Sequence, residues 1–363
     1  MRVTAAEASP LRSLSEMRVD LPPGIVSLIG PNGTGKTNFL EALYFALTGR
    51  SFRTSDRRDM IPLGSSSARA EALVRAEDGV EHRLLASVSR TEGRRHLLDG
   101  NPSDPATLAR ARPPVAVFSP DRLTLIKGPP GERRAHLDLF VAARWPSRSE
   151  LRQRYGQALA QRNAILARAA AGVTAESEVE VWDAMLAEAA APLAAARAAA
   201  IEELAIPFST AAGELGLPMA ALEYAPRASG SAEEIRAELA ARREQDLRLG
   251  RSSWGPHLDE VKVLLDGRSL RRYGSQGQQR AALLALLFAE RDVLLAARRV
   301  VPLLLLDDVM SELDPDRREL LVERLQASGQ SLITAADEES VPPAARTDVI
   351  HMPWTAPPAA AAA

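Results

Sequence analysis

The segment Gly30-Pro-Asn-Gly-Thr-Gly-Lys-Thr37 constrains this chain more than any other. It lies between a run that reads as a short buried strand, Gly24 to Gly30, and one that reads as a helix, Lys36 to Leu47, apolar at Phe39, Leu40, Leu43 and Leu47 and stopped by Gly49. Strand, glycine-rich loop and helix in this order are what phosphate binding requires. Glycines let the backbone wrap so that its N–H groups face phosphate oxygens, the helix N-terminus adds positive potential, and Lys36 supplies a compact ammonium to the β and γ phosphates. Thr37 would hold Mg²⁺ through its hydroxyl. The bland alternative is a glycine-rich turn, which does not need a lysine and a hydroxyl at the helix start.

At 363 residues the chain exceeds one ordinary domain, so two domains, or one with a large insertion, are expected. With 46% hydrophobic and 25% charged residues it reads as folded rather than disordered or fibrous. Alternating runs at 68–76, 81–90 and 94–98, separated by Asp78-Gly79 and closed by Asp99-Gly100, predict hairpins. Val115 to Phe118 predicts a compact strand, and Arg133 to Val141 a helix. From about Ser149 to Leu249 the composition shifts to alanine, arginine and glutamate at helical spacing, broken by Pro192, Pro207, Pro218 and Pro226. That predicts a helical arm without a long coiled coil. Residues 258–265 return to strand, Gln276 to Ala296 reads as a buried helix, Val301 to Leu306 as a buried parallel strand, Arg317 to Leu325 as a surface helix and Gln330 to Thr334 as a last strand. No charge-free apolar run approaches the roughly 20 residues that span a bilayer, so no membrane is expected. The N-terminus lacks the apolar stretch of a secretory signal, and the absence of cysteine excludes disulfides and thiolate metal sites and fits a reducing cytosol.

Two further segments carry chemistry. Leu303-Leu-Leu-Leu-Asp307-Asp308 puts two carboxylates at the end of a buried strand, where ligands of parallel α/β sheets lie. Asp307 would bind Mg²⁺ directly or through water, and Asp308 would orient and polarise the attacking water, although adjacent acids after a strand also occur in plain turns. Tyr273-Gly-Ser-Gln-Gly-Gln-Gln-Arg280 opens a helix with Ser275 and Gly277, a second anion-suited helix end. One phosphate loop already supplies one such end per chain, so this one is expected to cap the γ-phosphate of a nucleotide held by another copy in a two-fold dimer. The alternative is a plain capped helix with Gly277 present for close packing.

Together the phosphate loop, the Ser-Gln-Gly-Gln-Gln-Arg signature, the Asp307-Asp308 strand and Ser311-Glu-Leu-Asp314 resemble the ABC-type ATPase head shared by SMC proteins and their repair relatives. Gly49-Arg-Ser-Phe-Arg-Thr54, Phe118-Ser-Pro-Asp-Arg122, Lys127-Gly-Pro-Pro-Gly-Glu-Arg-Arg134 followed by Leu137-Asp138, and Gly255-Pro-His-Leu-Asp259 narrow the resemblance to the bacterial RecF family of recombination mediators, over residues 24 to about 340. It implies an α/β, ABC-type P-loop ATPase head with an inserted, mainly helical second lobe: head at 1–135, helical lobe at 136–254, head again at 255–354 and a disordered tail at 355–363. It also implies an ATP-dependent DNA-binding protein of gap repair and replication restart that dimerises on nucleotide, helps RecO and RecR load RecA, and is a slow, DNA-stimulated ATPase in the cytoplasm at the nucleoid. By motif position Gly30, Asn32, Gly33, Thr34, Gly35, Lys36, Thr37 and Asn38 would contact ATP, with Lys36 and Asp308 catalytic and Thr37 and Asp307 holding Mg²⁺. Ser275, Gly277 and Gln278 would act in trans, and Asp314 would sit at the dimer seam. Two departures matter: Thr334-Ala335-Ala336 stands where transporter ATPases carry a histidine, and Asp308 is one methylene shorter than the usual glutamate, which favours a switch over a motor.

Net charge of −2 does not announce a nucleic-acid partner, and of 45 cations only Lys36, Lys127 and Lys262 are lysines. Arginines cluster at Arg50, Arg53, Arg57 and Arg58, at Arg94 and Arg95, and at Arg133 and Arg134. A face of such arginines would grip the backbone of duplex, gapped or junction DNA without reading sequence, although any one cluster also fits a solvated face. The 4% of aromatics offers little for base stacking, and the histidines show no metal-ligand spacing. A transporter ATPase lacks support without the switch histidine, an SMC-type chromosome-organising head would need a long coiled coil, and a small-molecule kinase does not explain Ser275 to Arg280.

Overall fold

The computed structural model describes residues 1–352 apart from Ser55, Thr174, Glu176, Val300 and Ser328. The tail expected at 355–363 lies outside the described residues. The chain divides into two compact units, one made of Met1–Leu123 together with the chain from Leu294 on, the other of Thr124–Val293. These divisions differ from those at 135/136 and 254/255 that the resemblance implied. The helix Pro130–Arg144 packs on the long helix Ser177–Glu214 and on the strand Glu260–Leu265, so packing groups all three in the second unit.

The first unit is built on two sheets. Five parallel strands stand in the order Asp348–His351, Ile25–Ile29, Ser331–Ala335, Leu303–Leu306 and Val115–Phe118. Six antiparallel strands follow Met17–Asp20, Arg2–Ala8, Ser67–Arg75, Glu81–Ser89, Gly93–Leu98 and Asn101–Pro102. The parallel strands Ile25–Ile29, Leu303–Leu306 and Ser331–Ala335 are buried along their whole length, as continuous apolar runs in parallel sheets are. The helix Lys36–Thr48 packs against strands of both sheets and is buried on nearly every side, ending in a left-handed Gly49. Asp348–His351 follows the strand expected to be last. As an edge strand with only two apolar residues, it gives no periodic signal.

The second unit is mainly helical: Pro130–Arg144, Leu151–Ala170, Ser177–Glu214, Ala232–Ala241 and Arg243–Leu249 surround a three-stranded antiparallel sheet of Arg268–Ser269, Glu260–Leu265 and Ala220–Ala225. Two expectations for the arm are corrected. Ala220–Ala225, inside the stretch expected to be a helical arm, is a strand, and Pro192 and Pro207 interrupt nothing, because Ser177–Glu214 runs through both. Leu186, Leu193, Ile201, Leu204 and Phe208 are buried along that helix. At about 1.5–3 kcal/mol each they outweigh about 3 kcal/mol per interior proline. Pro192 is exposed, which leaves the carbonyl freed one turn back at exposed Glu188 open to water.

By length and composition Ser177–Glu214 could cross a membrane, contrary to the reading that no segment could. Half of its most apolar window is buried, however, and it carries Arg197, which donates to the carboxylates of Asp138 and Asp259. It is the core helix of this unit. Buried Arg162, paired with Asp183 and Asp246, fixes the register of the neighbouring helices.

Candidate nucleotide site

In the phosphate loop Gly33 and Gly35 hold φ of +86° and +98°, left-handed values that side chains rarely adopt. Gly30 answers a different need: a Cβ there would fall 2.2 Å from the Met352 carbonyl oxygen, which the paired strand Asp348–His351 brings alongside. Lys36 Nζ donates back to the carbonyls of Gly30 and Pro31, so the ammonium is held over the loop. Burial lowers its pKa, opposed by the negative charges of Asp308 and Asp307.

Asp307 joins this loop to the acidic strand. Thr37 Oγ1 lies 2.9 Å from both carboxylate oxygens, and Thr334 Oγ1 donates to Oδ1 at 2.8 Å. The same Thr334 hydroxyl accepts from the Asp308 N–H at 2.8 Å and so braces both acids. Asp308 needs bracing, since its φ is +52°, an unfavourable value for a residue with a Cβ. Burial raises the Asp307 pKa, the bonds from Thr334 and Thr37 lower it, the Asp308 charge raises it and Arg53 lowers it. Thr334 was noticed in the sequence only as the place of a missing histidine. Its signal is a hydroxyl within a strand that is otherwise apolar after Ser331.

The side chains of Arg53 and Asn38 are tied to each other at the start of the helix Lys36–Thr48. Arg53 Nη1 donates to Asn38 Oδ1 at 2.9 Å and to Glu41, whose carboxylate is fully buried and also takes two bonds from Arg12 and one from Ser51. Asn38 Nδ2 donates to Ser13. Arg53, considered for DNA, therefore stands with the nucleotide-site residues, and the asparagine amide ties the loops around the helix start. Glu41 was missed. A carboxylate inside the apolar face of Lys36–Thr48 is the signal that could have found it.

The signature belongs to the second unit. Ser275 Oγ accepts from the Gln278 N–H at 3.2 Å while the Ser275 N–H donates to Gln278 Oε1 at 2.9 Å, a reciprocal capping box at the start of Gln276–Arg298. Gln279 is buried and returns its amide to the carbonyls of Leu270 and Gly274. Gly277 does not serve close packing within the chain: a Cβ there would find only Ser275 Oγ, at 4.0 Å. Asp314 caps the helix Pro315–Gln326 through the Arg317 N–H and pairs with the Arg317 guanidinium.

The arginine clusters separate. Arg133 is buried, pairs with Glu260 and donates to the carbonyls of Ile126 and Gly128, and Arg134 donates to the Asp259 carbonyl, so this pair holds the second unit together. Asp259 itself, the last residue of Gly255-Pro-His-Leu-Asp259, accepts from Arg197, Tyr224 and the Arg227 N–H. In the first unit His96 bonds the Ala46 carbonyl and carries its hairpin to the end of Lys36–Thr48. There burial and then the charges of Arg94 and Arg50 lower the Arg57 pKa, and burial and Arg50 lower that of Arg112. Arg50, Arg57 and Arg94 thus lie near one another, while Arg112 turns inward and donates to the Pro113 carbonyl. Arg58 and Arg95 are exposed, the latter paired with Glu92.

The family described as RecF/RecN/SMC N terminal domain matches residues 3–353. A DNA replication and repair protein RecF of Anaeromyxobacter sp. (strain Fw109-5) is 37% identical over 360 residues, 96% of each chain. Among solved structures, the recombination mediator protein RecF-ATP in the RecFOR pathway superposes with a TM-score of 0.84 at 26% identity, covering 94% of this chain and 93% of that one. The Smc head domain of Pyrococcus furiosus, bound to the C-terminal domain of ScpA, shares the fold with a TM-score of 0.57 at 17% identity over 96% and 93%. The architecture is that of the ABC-type ATPase head with an inserted helical lobe, and with relatives of this identity along nearly its whole length the chain belongs to the RecF family.

Proposed function

We propose that this chain is an ATP-driven switch of DNA gap repair: it binds ATP, dimerises on it, closes on duplex at gaps or junctions and releases by slow, DNA-stimulated hydrolysis, acting with RecO and RecR to load RecA in the cytoplasm at the nucleoid. The observation that carries this is the bonded set Thr37–Asp307–Thr334–Asp308 beside Lys36. Thr37 and Asp307 present a hydroxyl and a carboxylate close together, hard oxygen donors that suit Mg²⁺ with phosphate and water as its other ligands. Mg²⁺, when bound, neutralises charge on the phosphates. Lys36 binds the β and γ phosphates, and Asp308 orients the attacking water. Asp308, one methylene shorter than the usual glutamate, and the absence of a histidine at Thr334-Ala335-Ala336 support slow turnover.

The open space over Gly277 supports a trans role for Ser275, Gly277 and Gln278, because a glycine in a helix costs about 0.5–1 kcal/mol relative to alanine and its own chain does not need it there. Asp314 is the proposed seam residue. The cluster of Arg50, Arg57 and Arg94, with Arg58 and Arg95 nearby in sequence, supports contact to DNA phosphates, whereas Arg53 supports the nucleotide site. The test is the oligomeric state with and without ATP by light scattering, together with DNA affinity against salt. A dimer that forms only with ATP, and an Arg57→Ala/Arg58→Ala variant whose log–log salt slope falls by roughly 0.9 per lost phosphate contact, is expected. Nucleotide-independent dimers and DNA binding would overturn the switch.

A further inference from the structure

Among the described residues Tyr273 is the one aromatic side chain left exposed, at 70%. Every other described Phe, Tyr or Trp ring is buried or half-buried, in a chain with only 4% aromatics. Its backbone is held firmly. Tyr273 ends the single-turn helix Leu270–Tyr273, whose Leu270 is buried and whose Arg271 Nε donates to the Lys127 carbonyl at 3.2 Å. The buried Gln279 amide grips the Leu270 and Gly274 carbonyls at 3.0 and 3.2 Å. At the joint itself a Cβ on Gly274 would fall 2.7 Å from the Leu270 oxygen, so only glycine fits the tight bend leading into the signature. An exposed ring is thereby presented at a fixed place beside Ser275, flanked by exposed Arg271, Arg272 and Lys127.

We propose that Tyr273 packs its ring on the ribose and base of the nucleotide held by a second copy of this chain, making it a specificity and affinity residue of the ATP dimer. This rests on the trans role given above to the signature. Two residues span no more than about 7 Å of chain. A helix start that meets the terminal phosphate therefore puts Tyr273 within reach of the rest of the same nucleotide. The flanking cations suit its phosphates, and the ring supplies the apolar face that the polar, glycine-containing signature Ser275 to Arg280 lacks. A rigid, solvent-facing tyrosine is also the side chain type that concentrates binding energy at interfaces.

The test compares Tyr273→Ala, Tyr273→Phe and Ser275→Arg in the full chain. ATP binding to dilute monomer is measured by equilibrium dialysis, ATP-induced dimerisation by light scattering, and affinity for gapped DNA separately. Tyr273→Ala is expected to bind ATP as monomer like the wild type yet to need roughly tenfold more protein to dimerise, with Tyr273→Phe restoring the wild-type midpoint. A wild-type dimerisation midpoint in Tyr273→Ala, with Ser275→Arg unable to dimerise, overturns this proposal and leaves the trans signature standing. Normal dimerisation of Ser275→Arg overturns the trans signature itself. If Tyr273→Ala keeps its ATP dimer but loses affinity for gapped DNA, the ring meets an unpaired base and the nucleotide contact is wrong.

Discussion

The acidic strand end of the first unit and the signature of the second are built in opposite ways. Asp307 is 5% exposed and bonded by Thr37 and Thr334, side chains 270 and 27 residues away, so the site exists only when the whole unit has folded. Ser275, exposed, and Gln278, half-buried, are three residues apart and satisfy each other. The first site is part of the core, and whatever binds there is linked to the stability of the unit. The second adds little to its own fold, so its residues are free to be set by what they meet outside.

That contrast can be broken at three points. Lys36→Ala should have the largest effect: it removes the ammonium held over the loop, and with charged hydrogen bonds contributing about 1.5–3 kcal/mol each, ATP affinity measured by calorimetry should fall ~100-fold or more. Retained affinity would remove the loop from the site. Thr334→Val keeps shape but strips a donor from Asp307 and an acceptor from the Asp308 N–H. Urea unfolding should register a loss of about 1–3 kcal/mol, and turnover should drop with it. An unchanged unfolding curve would mean that the acidic site is no more integral to the core than the signature is. Gly277→Ala should act in two directions, stabilising the isolated chain by up to about 1 kcal/mol while weakening the ATP-induced dimer. Loss of stability instead would place an unseen packing demand on that glycine.

The phosphate loop, the acidic strand and the signature were legible because each is contiguous and its chemistry dictates residue types at fixed spacing. Even the capping box of Ser275 and Gln278 is written in the spacing S-x-x-Q. What stayed hidden works through space. The brace from Thr334 to Asp308 links residues 26 apart, and Glu41 gathers Arg12 from one loop and Ser51 and Arg53 from another. Consecutive arginines gave no hint that Arg133 pairs with Glu260 across 127 positions. Proline misled for a related reason: its local cost at 192 and 207 is real, but burial along the rest of the helix decides, and burial is not a local property.

The strand order also has a consequence for synthesis. Ile25–Ile29, which carries the phosphate loop, has both its neighbours, Ser331–Ala335 and Asp348–His351, near the far end of the chain. At about 5–20 residues per second the ribosome takes ~15–60 s to make the roughly 300 residues that separate the strand from its first partner. The second unit is contiguous, Thr124–Val293, and can close while this strand waits. Until translation reaches the second partner, an apolar stretch with unpaired edges is exposed to other nascent chains and to chaperones. Ribosomes halted before residue 331 would therefore display the loop's full sequence without the ability to retain a nucleotide.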